Sequence, residues 1–135
     1  MSGGRILCTI LSADRIPGIS RRGAFMNETD YVLVLTTLPV DADAGTFALT
    51  LVDARLAACV NLLPVMDSVY RWEGKVEQER ERQLVIKTSR ARLADLWERV
   101  RELHPYDVPE FLVMPIVDGH DAYLRWVGES TRTAE

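Results

Sequence analysis

A chain of 135 residues, 47% of them apolar, is long enough to bury one core and too short for two. Its formal net charge is −4, with basic residues interleaved among acids, which argues against a nucleic-acid partner because counterion release needs clustered Lys and Arg. No apolar run approaches the ~20 residues that span a bilayer. Two cysteines, Cys8 and Cys59, are too few for a disulfide framework, so a cytoplasmic setting is expected.

Residues 1–29 read as an N-terminal extension and residues 30–135 as the folded domain. Ile6 to Leu11 is apolar but shorter than the ~7 to 15 residues of an export-signal core, and Pro17, Gly18 and Gly23 then break the chain. Two readings of this stretch stay open. It is either a disordered segment or upstream start that the fold does not need, or an added edge strand from Ile6 to Leu11.

Tyr31 to Leu38 is a continuous β-branched and apolar run closed by Pro39, the pattern of a strand buried on both faces. Asp41 or Asp43 caps the helix that follows, in which Phe47, Leu51, Val52 and Leu56 recur near the helical period. Cys59 to Trp72 is strand, with Pro64 marking a bulge, and Glu73–Gly74 supplies a tight turn. The return strand, Lys75 to Thr88, begins with a charged half from Glu77 to Arg82 and ends in the buried half Leu84 to Ile86. Ser89 reads as the cap of the next helix, whose inward face is Leu93, Leu96, Trp97, Val100 and Leu103. Phe111 to Ile116 is the last strand, and Asp121 opens a C-terminal helix carrying Tyr123, Leu124, Trp126 and Val127. The expected class is α+β, a ferredoxin-like βαββαβ unit with a long β-hairpin arm and one added helix.

No Gly-rich phosphate loop follows a strand. Cys59 and His104 are the residue types of a thiolate–imidazole pair, but Cys59 sits among Ala57, Ala58 and Val60 as a small buried residue does, and the chain is read as a non-enzyme. The same two side chains suit copper or zinc, and one Cys with one His closes a site only with carboxylates or with ligands from neighbouring subunits. His104, before Pro105, also suits the role of a helix-ending residue. Asp118, Gly119, His120 and Asp121 form a second small cluster that a turn and helix cap explain equally well. A lone hairpin arm is marginal in water, so association with other copies is expected.

The stretch AACVNLLPVMDSVYRWEGK (Ala57 to Lys75), followed by LHPYDVPE (Leu103 to Glu110), closely resembles the divalent-cation tolerance (CutA) family, and the resemblance runs from Tyr31 to about Glu129. It implies a homotrimer whose arms pair across subunits, with Trp126 near the contact. It also implies a role in the response to divalent metal ions, with copper as a possible ligand and no obligatory cofactor. His104 matches the His of the family's HPY motif. Copper-binding members can carry a cysteine at the position of Thr36 and a second histidine at that of Leu103, and neither is present here. Trp72, Lys87, His104, Tyr106 and Glu110 match positions around a cleft between subunits, where a small anion or metabolite would bind. The alternative is a signalling trimer akin to the nitrogen-regulatory PII proteins, which bind nucleotides in such clefts. A protein whose assembly is its whole function is the third reading.

Overall fold

A computed structural model describes residues 30–133. The expectations for the N-terminal extension lie outside the described residues. The elements are strand β1 (Tyr31–Pro39), helix α1 (Ala44–Asp53), strands β2 (Cys59–Trp72) and β3 (Lys75–Ser89), a 3-10 turn (Arg90–Arg92), helix α2 (Leu93–Leu103), strand β4 (Leu112–Pro115) and helix α3 (Asp121–Ser130). The strands form one antiparallel sheet in the order β2-β3-β1-β4, so among the described residues β2 and β4 are its edges. This is the expected ferredoxin-like arrangement.

The period-2 alternation of the strands divides the sheet into two unlike faces. Val32, Val34 and Leu38 of β1 and Leu84 and Ile86 of β3 are fully buried with Phe47 and Leu51 of α1 and Leu96 and Val100 of α2. The other face carries Leu33 and Leu35, which are only half-buried, beside Val85 and Lys87 of β3 and the exposed Leu112 and Met114 of β4. β1 therefore reads as buried on both sides in sequence, while among the described residues the cover is complete on one side and on the other is limited to α3 at the Tyr31–Lys87 end.

Local signals explain the boundaries. Asp43, not Asp41, caps α1, its Oδ1 accepting from the Thr46 amide at 3.0 Å and its Oδ2 from the Thr46 hydroxyl at 2.8 Å. Proline cannot donate to a ladder, and the β2–β3 register slips between Leu62 and Val65, around Pro64. The arm closes on a two-residue turn with both φ positive, +50° at Glu73 and +82° at Gly74. Gly74 is suited to that conformation and Glu73 adopts it at a cost.

Two sequence expectations are corrected. Ser89 makes no side-chain cap to the helical segment; its hydroxyl pairs with that of buried Thr131 at 2.9 Å, tying the end of β3 to the end of α3. Leu103 is 41% exposed, because His104, four residues after Val100, takes the inward position at 8% exposure.

Candidate functional site

His104 terminates α2 in an extended conformation, and both its ring nitrogens are engaged. Nε2 donates to the Thr37 carbonyl at 2.6 Å, and Nδ1 accepts from the Tyr106 amide at 3.1 Å. A carbonyl only accepts, so the ring is the neutral Nε2–H tautomer. Burial pushes its pKa below the usual histidine range, outweighing the opposing pull of the Thr37 carbonyl and Glu81. The imidazole thus rivets the end of β1 to the loop after α2.

That loop forms one wall of a groove of about 640 Å³. Its floor is one face of the arm, where the register sets Met66 opposite Glu81, Ser68 opposite Glu79, Tyr70 opposite Glu77 and Trp72 opposite Lys75. Glu81 is 6% exposed and accepts from the Tyr106 hydroxyl at 2.9 Å. Gln83 donates through Nε2 to Glu110 Oε2 at 2.8 Å and to the Thr36 carbonyl at 2.9 Å. Among the described residues the lining carries three carboxylates, Glu81, Asp107 and Glu110, and no Lys or Arg. Burial, with the hydrogen bond to Glu81, pushes the Tyr106 phenol pKa well up. Desolvation and Glu79, Glu77 and Glu81 push that of Tyr70 up as well. Burial is the larger cause in both, and the neighbouring carboxylates add to it.

Trp72, Tyr106 and Glu110 therefore meet around one groove of a single chain. Lys87 does not line it. Its ammonium lies 3.5 Å from the Tyr123 hydroxyl and 5.7 Å from that ring's centre, so it faces α3 instead. Cys59 pairs across the strands with Lys87, and Thr37, which His104 holds, pairs with Gln83. Four residues of β3 separate the two positions, roughly 13 Å, too far for Cys59 and His104 of one chain to share an ion. Thr36 is fully buried, its carbonyl serving Gln83. Asp118 turns its Oδ1 onto the Gly119 amide at 2.9 Å, and His120 precedes α3 without a side-chain cap. Among the described residues, no three His, Cys, Asp or Glu side chains gather into a cage fit for a metal ion.

Residues 32–130 match the family described as CutA1 divalent ion tolerance protein. The chain belongs to the CutA family. A divalent-cation tolerance protein CutA of Thermus thermophilus is 46% identical over 99 residues, covering 73% of this chain and 96% of that relative. A solved structure of the Thermus thermophilus protein superposes with a TM-score of 0.73 at 45% identity, covering 76% of this chain and 99% of the other. The chloroplastic protein CutA of Arabidopsis thaliana is 45% identical over 101 residues, covering 75% of this chain and 56% of that relative. Divalent-cation tolerance is thus the broad functional assignment, and CutA is not a known enzyme family. Among the described residues, no helix is long and apolar enough to cross a membrane.

Sequence reasoning missed Glu81 and Gln83 as site residues, because Glu81 is one of many charges in the half-strand Glu77 to Arg82 and Gln83 follows directly after it, so neither stands out from its neighbours. The signal was present: once the register slips at Pro64, alternate residues of both strands share a face, and Glu81 falls opposite Met66.

Proposed function

We propose that this CutA protein acts in the cytoplasm as a homotrimer that binds a divalent metal ion, copper in particular, as a binder and not a catalyst. The observation that supports the assembly is the incompletely covered sheet face, where, beyond the end that α3 reaches at Tyr31 and Lys87, exposed Leu112 and Met114 adjoin half-buried Leu33 and Leu35 between two edges that no described strand pairs. β2 and β4 are different surfaces, so edge-to-edge contact is head-to-tail and must close into a ring to stay finite. The count of three follows from the family resemblance.

For the ion, the supporting feature is an imidazole kept neutral, the form that ligates. His104 must first surrender the Tyr106 amide, at a cost of about 1 kcal/mol, and its further ligands, Cys59 or carboxylates, must come from neighbouring copies. Binding is therefore weak, of micromolar class, or roughly 8 kcal/mol. Nothing in the groove favours a nucleotide or other anion, since its lining is acidic and the turn at Glu73–Gly74 leaves no long loop between β2 and β3.

Calorimetric titration of the full chain with copper tests this reading. Micromolar affinity is expected, falling as pH drops below about 6.5, with at least a tenfold loss in His104→Ala. Nanomolar binding that survives His104→Ala would place the site elsewhere.

A further inference from the structure

The groove is far too large for a bare ion and falls in the ~300–1,000 Å³ range of small organic ligands. Its chemistry is one-sided. Tyr70, Trp72 and Tyr106 offer aromatic rings, Met66 and Val108 offer apolar wall, and every charged lining residue among those described is a carboxylate. Ring faces and carboxylates attract the same kind of ligand, an organic cation whose ammonium groups meet acids while its methylenes cover aromatic surface.

We propose that this groove binds a small aliphatic diamine in its doubly protonated form. Two of the acids have fixed positions. The Tyr106 hydroxyl holds Glu81, and Gln83 holds Glu110. Glu81 and Gln83 are two residues apart on one face of β3, roughly 7 Å between their backbones, so Glu81 and the Glu110 that Gln83 holds are anchored at successive points along the strand, as a short two-headed ligand requires. Among the described residues neither carboxylate has a Lys or Arg partner within the lining, so each is left one charge short of neutrality there. A diammonium ligand supplies both charges and displaces no ion pair among the described residues. The proposal is independent of the metal reading, which rests on His104.

Calorimetric titration of the full chain with 1,4-diaminobutane at fixed ionic strength tests it. Saturable binding is expected with a Kd near or below about 1 mM, at least tenfold tighter than that of n-butylamine, which has the same chain length and one charge. Glu110→Gln should weaken it about tenfold, and Glu81→Gln, which keeps an acceptor for Tyr106, by a similar factor. Lys87→Met, outside the groove, should leave it unchanged. Three results would overturn the proposal. The first is no saturable binding in the assembled protein, as when a neighbouring copy's arm fills the groove. The second is equal affinity for butylamine. The third is equal displacement by magnesium, which gains nothing from aromatic rings.

Discussion

His104→Ala is expected to lower folding stability by roughly 3 kcal/mol. The substitution leaves the Thr37 carbonyl and the Tyr106 amide without their partner, and each unmade bond at a buried group costs about 1–3 kcal/mol. It also empties the position against which the Phe47 ring packs edge-on, at 6.3 Å between centres. Denaturant unfolding at fixed protein concentration measures the loss, and a change below about 0.5 kcal/mol would show that the rivet is not needed. The same imidazole makes stability depend on pH. Its folded pKa lies below the unfolded value of about 6.5, so between the two the unfolded chain binds more protons. Its contribution is therefore complete above pH 6.5 and is lost as pH falls toward the lowered folded value. His104→Ala should flatten that part of the stability profile.

The second large effect concerns association. Changing Leu112 and Met114 together to lysine should break the assembly into folded monomers at micromolar concentration. Both side chains are already exposed in a single chain, at 55% and 40%, so the fold itself loses little. Charge on an edge strand opposes pairing with another strand, and each apolar anchor removed from an interface centre costs about 2 kcal/mol or more. Sedimentation of the double variant checks this. An unchanged oligomer with unchanged dissociation would remove β4 from the interface.

Most of the fold was legible because each element carries its own local signal. Asp43 before α1, Pro64 within β2 and Gly74 at the arm's tip act over a few residues, and periodicity separates helix from strand. Ser89 was misread because its partner, Thr131, lies 42 residues away, and no local pattern announces a pairing between the end of a strand and the end of the last helix. Leu103 and His104 both fit the helical period after Val100, and only the Thr37 carbonyl decides that the imidazole turns inward. The site followed the same rule. Trp72, Tyr106 and Glu110 were found together, whereas Lys87, an odd residue on an apolar strand, belongs with Tyr123. The charge sign of the groove emerged only when β2 and β3 were paired, since that pairing gathers Glu77, Glu79 and Glu81 on the face that carries Tyr70.

The continuous apolar pattern of β1, half-satisfied in one chain, is the feature that most directly demands other copies. Light scattering coupled to size exclusion, on the full chain near neutral pH and at micromolar concentration, should give three times the chain mass as a single species. A dominant monomer would contradict the account, since the sheet face bearing Leu33, Leu35, Leu112 and Met114 would then stand open to water and no site could draw ligands from neighbouring subunits.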